Sequence, residues 1–495
     1  MLFVNQVCSG VWGKAKKDNL STRRGRSYKI LLTIYLLLHN FAKTHETSTS
    51  EKVASELKKI IEKNQQSDIV VTFDVPSSET LNKITIKTKA HTDRAEKLKM
   101  ISDALENQAL GSQKRVLDLL KSEKSVKSRI LWITNQLSIK SASAALIAEI
   151  AAVDEVTKID IDAELEMIEP LKDPVDNLLN PPPRPRNSKY GQLTYGLETI
   201  KVPEVWSQGY YGQGINVGII DFGIDVNHDV IRDSFIGTNN YGWFDPTNDT
   251  GLPNDHHGHG THCLGTIVGH NGIGVAPGSR WMACEVTKDY SMEMFHTSAV
   301  ACLQHFYCPG DESGRNRNCS IAPRGSSRKL YDAALPFKYS DTFLIFATGN
   351  FGPFCTTTAL PQAIADIFSV GSTNYLGEVH WSSSGGPGIN GSIKPAVVAP
   401  GIEVLSSCLN NTYCIKSGTS MASPHVAGIF ALLLSKNPNL KNEEMWDVLI
   451  NSTEPVTPTN KKEQCEKPPT SQYPNNRAGY GRINALKAII NVKIP

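Results

Sequence analysis

Asp221, His259 and Ser420 are residues of this 495-residue sequence whose types could together do nucleophilic chemistry. A serine hydroxyl is a weak nucleophile until a base removes its proton, and the base works best when a buried carboxylate fixes its tautomer. Each residue sits among small neighbours at the edge of an expected element. Asp221 ends a β-branched run and precedes Phe222-Gly223, His259 lies in His257-Gly258-His259-Gly260-Thr261-His262, and Ser420 opens an apolar helix that runs to Lys436. They are 38 and 161 residues apart in sequence, so only a tertiary fold brings them together. Taken singly, each has a duller reading. Asp221 can cap a turn, Ser420 can cap its helix, and His256, His257, His259 and His262 can gather a metal, although no His-Glu-x-x-His spacing is present.

The elements that must position these residues alternate between strand and helix from about residue 189 onward. Ile215 to Ile220, Trp281 to Val286, Thr342 to Ala347, Ile367 to Val370 and Ala396 to Ala399 are short apolar runs of the kind that form buried parallel strands. Helices are expected at 260–269, 291–306, 359–365 and 420–436. The alternation predicts the α/β class, a doubly wound and mostly parallel sheet with helices on both faces. In such a sheet, sites gather beyond the carboxyl ends of the strands.

The chain upstream has a different composition. Residues 46–170 are rich in Lys, Glu, Ile and Ala, lack cysteine, and predict a small α+β domain of order β-α-β-α-β. Its strands are expected at Ile69 to Phe73, Arg129 to Ile133 and Val156 to Ile161, with helices at Arg94 to Lys121 and Ser141 to Ala152. Between the two domains, 171–188 carries Asn180-Pro181-Pro182-Pro183-Arg184-Pro185-Arg186-Asn187, an extended linker open to a protease. Residues 1–45 read as a secretory signal with a long basic leader. Arg23, Arg24, Arg26 and Lys29 precede an apolar run from Ile30 to Leu38, which is too short for a span of about 20 residues, although the long leader leaves a signal anchor as the lesser alternative to secretion.

Charge excludes some classes of partner. With 51 basic and 49 acidic residues there is no global field to attract nucleic acid, and no stretch predicts a stable membrane span. The sequence has 10 cysteines, nine of them after the expected signal, so a secreted product would carry some disulfides and, nine being odd, at least one free thiol or an intermolecular bond. Cys408 and Cys414 flank a short segment, Cys302, Cys308 and Cys319 crowd another, and Cys263 and Cys284 read as inert buried thiols. Asp225, Asp229 and Asp233 are spaced suggestively for a cation but read as solvated charges.

Gly418-Thr419-Ser420-Met421-Ala422-Ser423-Pro424-His425, with His259-Gly260-Thr261-His262 and Ala347-Thr348-Gly349-Asn350, resembles the subtilisin family of serine proteases. Val205-Trp206 and Gly274 to Gly278 lean toward its bacillopeptidase F-like side. The resemblance implies a serine endopeptidase with Ser420 as nucleophile, His259 as general base and acid, Asp221 as orienting carboxylate and Asn350 as oxyanion donor. Asn350, standing before Phe351-Gly352, has the plain reading of an ordinary turn residue. The resemblance implies a protein or peptide substrate, no catalytic cofactor or metal, and room for structural calcium without an assigned ligand set. It also makes 46–170 a prodomain that assists folding and inhibits the enzyme until it is cut away. In two respects the chain departs from the family's pattern: Phe222 stands where a serine or threonine usually follows the aspartate, and Cys319 to Arg328 replaces an Asn/Ser-rich substrate-binding strand. Those departures support an alternative, a catalytically weak or silent binding protein with the same fold.

Overall fold

The computed structural model describes residues 51–90, 93–162, 164–165, 186–188, 191–247, 251–286, 294–307, 320–322, 330–456, 465 and 468–493. The expected signal within 1–45, most of the expected linker and Arg324 to Arg328 lie outside the described residues. Of the linker, Arg186–Ser188 pairs antiparallel with Gly191–Leu193, so the extended segment ends in a small hairpin where no ladder was expected.

Residues 51–162 build an antiparallel sheet in the order Lys127–Leu131, Gln136–Ala142, Ser67–Phe73, Val156–Ile161. The observed order corrects the expected β-α-β-α-β. A helix, Ser77–Ala90, precedes the long helix Arg94–Leu120, and a hairpin partner, Gln136–Ala142, follows Lys127–Leu131. The chain reverses between those strands through Asn135, whose φ of 50° is a left-handed value that asparagine tolerates. Asp93 starts the long helix by accepting the Glu96 N–H at 2.9 Å, and Ser143 starts Ala144–Ala151 by accepting the Leu146 N–H at 3.2 Å.

The long helix serves two cores. Near its carboxyl end Val116 packs with Leu137, Ile139, Ile147 and Val156 inside the first unit. Nearer its start Leu98, Ile101 and Leu105, at helical spacing, join a cluster with Phe306, Leu330 and Phe337 of the second unit. Each such buried aliphatic side chain contributes about 2 kcal/mol of transfer free energy, so the contact between the units is held largely by apolar area.

In the second unit four strands run parallel in the order Ser320–Ala322, Asn216–Asp221, Arg280–Glu285, Trp243–Phe244. Ile345–Ala347, Phe368–Thr373 and Val397–Pro400 form a second parallel ladder. The strands are buried along nearly their whole length, as β-branched and alanine-rich runs covered on both faces must be. Thr419–Lys436 is apolar almost all round and packs inside the core. Within the expected helix at 359–365 there are turns instead; Pro361 lacks the N–H a helix needs, and Ile364 N donates to Pro361 O at 2.9 Å. Disulfides join Cys284 to Cys302, Cys355 to Cys465 and Cys408 to Cys414. Cys284 is therefore bridged, which corrects the reading of it as an inert buried thiol, whereas Cys263 is a buried cysteine outside the disulfides. Among the described residues no helix is long and apolar enough to cross a membrane.

Candidate active site

Asp221 is the last residue of the strand Asn216–Asp221, and His259 is the first residue of the helix His259–Val268. The helix comes close because Gly260 has no side chain. A Cβ there would stand 2.1 Å from the Gly223 carbonyl oxygen and 3.0 Å from the Asp221 Cβ. The approach sets His259 Nδ1 2.7 Å from Asp221 Oδ1, with both side chains buried. Phe222 N also donates to Asp221 Oδ1, at 2.9 Å, so one carboxylate oxygen takes two donors. An Nδ1–H held by a carboxylate leaves Nε2 as the ring's proton acceptor.

Neighbouring histidines do not share this setting. His262 Nε2 faces the Val404 carbonyl at 2.9 Å, and His425 Nδ1 faces the Met421 carbonyl at 2.8 Å. Burial drives their pKa values down, to about 3 for His262 and about 4 for His425. His228 Nε2 bonds the Thr412 carbonyl at 2.8 Å. His256 Nε2 meets the Asn254 side-chain amide at 2.8 Å. Among the described residues the four histidines do not converge as a set of ligand atoms, although the His257 and His259 ring centres are 6.2 Å apart.

The turn that delivers His259 is organised by Asp255, a residue the sequence did not single out. Its buried carboxylate accepts the N–H groups of His257 at 2.8 Å, Gly258 at 2.7 Å and Thr261 at 3.1 Å, and the Thr261 hydroxyl at 2.6 Å. Burial raises its pKa against these hydrogen bonds. An aspartate with a glycine three residues on is the local signal for such a turn. Gly258, at φ 75°, then takes the left-handed conformation from which the helix starts.

Ser420 is the second residue of the helix Thr419–Lys436, entered through Gly418 at φ 148°. Cys263 joins it to the histidine: the Cys263 sulfur is 3.3 Å from the Ser420 carbonyl oxygen and 3.6 Å and 3.8 Å from Nδ1 and Nε2 of His259. Ser420 and His259 thus flank one sulfur atom, on two helices that pack together. The expected inert thiol turns out to line the site.

Asn350 follows the strand Ile345–Ala347 and meets the same helix start. Its Oδ1 accepts from Thr419 N at 2.9 Å and from the Thr419 hydroxyl at 3.1 Å. With the carbonyl end occupied, Nδ2 is the end that donates, and a Cβ on Gly418 would stand 3.1 Å from it. The backbone N–H groups at the start of this helix carry its positive end. Asp221, His259, Ser420 and Asn350 are therefore gathered at the carboxyl edges of parallel strands and the amino ends of two helices.

Phe222 packs edge-on to the His259 ring, with centroids 5.8 Å apart, so a buried ring stands where the family's pattern has a hydroxyl. Ser320–Ala322, from the stretch that departs from the family's pattern, forms a parallel strand against Val217 to Ile219. Asp225, Asp229 and Asp233 do not converge. Asp225 accepts from Asn227 N and Asn410 N, while Asp229 and Asp233 both pair with Arg232. Among the described residues, a converging set of metal-ligand atoms is found at Asp221, His259 and Cys263, within 4.8 Å of one another. Those residues are accounted for by their mutual hydrogen bonds, and they offer no oxygen-rich shell for calcium.

Comparisons with known proteins bear on the family of the chain. The profile described as "Subtilase family" matches residues 212–481. Bacillopeptidase F of Bacillus subtilis (strain 168) is 26% identical over 492 residues, which covers 89% of this chain and 32% of that protein. The chain thus spans about a third of that relative's length. An intracellular serine protease of Paenibacillus polymyxa is 29% identical over 283 residues, 55% of this chain and 83% of that protein. A subtilisin of Bacillus pumilus is 31% identical over 271 residues, 52% of this chain and 90% of that protein.

Proposed function

Since the chain belongs to the subtilase family and is a subtilisin-like serine endopeptidase with the α/β fold of that family, we propose that Ser420, His259 and Asp221 are its catalytic triad and Asn350 its oxyanion donor. The observation that carries this reading is the buried 2.7 Å contact between His259 Nδ1 and Asp221 Oδ1, because it selects one histidine and one of its nitrogens as the base. His259 Nε2 takes the hydroxyl proton as Ser420 Oγ bonds to the carbonyl carbon of a peptide. The oxygen that gains charge is received by Asn350 Nδ2 and the Ser420 N–H. His259 then passes the proton to the leaving amine, and water, activated by the same ring, releases the acyl group and regenerates the hydroxyl. No cofactor enters these steps.

The enzyme is read as a secreted zymogen: 1–45 a signal, 46–170 an inhibitory α+β prodomain, 171–188 the linker that is cut, and 189–495 the catalytic domain, a doubly wound and mostly parallel α/β unit. Two observations support the prodomain. The match to bacillopeptidase F, over 89% of the chain, takes in much of the sequence before Gly212. Glu164–Leu165, at the end of the first unit, also pairs antiparallel with Met294–Phe295 of the second, as a tethered peptide would. Phe222, which brings no hydroxyl to Asp221, favours the second reading of a weak or silent member of the family.

Expression of the full chain and amino-terminal sequencing of its product separates the two. The zymogen reading predicts a new terminus between about 165 and 190 that is absent from Ser420→Ala. An intact chain in both, without peptide hydrolysis, supports the silent protein instead.

A further inference from the structure

The helical pair Ser77–Ala90 and Arg94–Leu120, inserted between two strands of the first unit, makes a contact separate from the strand pairing at Glu164–Leu165. At the start of the longer helix Lys97 Nζ is 2.6 Å from Asp341 Oδ2, with side chains only 7% and 16% exposed. One turn earlier, Arg94 Nη2 donates to the Leu440 carbonyl at 2.9 Å and its guanidinium lies 5.5 Å from the Phe343 ring centre. Asp341 is anchored from the other side too: Asn442 N, which opens the helix Asn442–Ile450, donates to its Oδ1 at 3.1 Å. Asp341 stands at φ 55° just beyond the helix Leu330–Tyr339, so its carboxylate ties the end of one helix to the start of another and presents its second oxygen to Lys97.

Resting on the reading of the first unit as a detachable inhibitor, we propose that this helical pair is a second clamp. It holds the first unit on the enzyme after the linker has been cut, and Asp341 is the residue by which the enzyme recognises its own first unit. The apolar stripe of Leu98, Ile101 and Leu105 supplies attraction but little selectivity, because any apolar face of that shape satisfies it. The Lys97–Asp341 pair is selective, because a partner without a cation at that position leaves a carboxylate buried and unpaired. The clamp acts on residence time and leaves the chemistry at Ser420 untouched, since Asp341 and Lys97 belong to neither helix of the site.

The test uses the full chain carrying Ser420→Ala, with residues 180–185 replaced by the recognition sequence of a site-specific protease. Cleavage by that protease, followed by size-exclusion chromatography and dissociation kinetics, reads the clamp whether or not the enzyme processes itself. We expect the fragments to co-elute and Lys97→Met to speed their separation at least tenfold, with Lys97→Arg restoring most of the retention. Lys99→Met, which removes an exposed pair with Asp103, serves as the control and leaves the rate unchanged. Asp341→Asn, made on the other unit, gives the same acceleration without depending on how the first unit folds. Equal rates for Lys97→Met, Asp341→Asn and the control overturn the clamp. A loss of self-processing in the unmodified chain instead overturns the zymogen reading and leaves this result standing.

Discussion

In the first unit the strand Lys127–Leu131 leaves three of its five residues exposed, and Val156–Ile161 buries only two of its six. In the second, Phe368–Thr373 and Val397–Pro400 are buried at every position. The two sheets hold different obligations. An antiparallel sheet with one covered face can leave its partner and still satisfy its own ladder, whereas parallel strands covered on both faces lock their ends in place. Asp221 lies at such an end, and Asn350 just beyond another, while the first unit contributes edge pairing and the helical clamp. Substitutions in the second unit should therefore strike chemistry, and those in the first should strike association.

The largest effect is expected at the triad. Asp221→Asn removes the carboxylate that holds His259 Nδ1 and should lower kcat about 10⁴-fold with KM little changed, measured on a chromogenic peptide. A loss of less than tenfold would mean that Phe222 N and the remaining amide orient the ring well enough alone. Next comes Asn350→Ala, expected to cost about 10²–10³-fold in kcat, the range found for single oxyanion donors. Its melting temperature tells whether loss of the bond from Thr419 N has moved the helix start, in which case KM rises as well.

Asp255→Ala tests whether the His259 turn is as locked as the strand ends. Three backbone N–H groups and one hydroxyl lose their buried acceptor, for an expected loss of about 2–4 kcal/mol in denaturant unfolding. An equivalent change in the first unit, such as Arg115→Ala, removes exposed pairs with Asp154 and Glu155 and should leave the denaturant midpoint unchanged.

The smallest and most graded effect concerns pH. His262 and His425 are held by burial at about 3 and about 4, below the ordinary 6.5, so the folded protein refuses protons that the unfolded chain accepts. Their contribution to stability is complete above pH 6.5 and is lost progressively as the pH falls toward 4 and then 3. His425→Gln should flatten the fall in melting temperature between pH 7 and 4. An unchanged slope would show that this histidine already titrates normally in the folded state.

The sequence announced the site far more clearly than the first unit. Small residues around Asp221, His259 and Ser420 mark places where strand and helix ends crowd together, and crowding of that kind leaves a local trace such as Gly260. Asp255 leaves a fainter one, an aspartate three residues ahead of a glycine. The helix Ser77–Ala90 was missed because Leu81, Ile84 and Ile86 give it a weak apolar stripe, and its threonines and lysines read equally well as loop. The strand Gln136–Ala142 was missed because its alternation of Leu137 and Ile139 with Ser138 and Lys140 follows directly on an expected strand, and the left-handed Asn135 between them is visible only as a single asparagine. The Lys97–Asp341 pair, 244 residues apart, leaves no local trace, since a lysine on a helix is ordinary until its partner is known.

The central claim is that one buried carboxylate, one imidazole and one serine at a helix start form a working nucleophile. A fluorophosphonate probe added to the processed enzyme, followed by peptide mass mapping, tests it directly. A single adduct on Ser420, abolished by Ser420→Ala and slowed by Asp221→Asn, is the predicted result. An adduct on any other residue, or labelling that persists in Ser420→Ala, contradicts it.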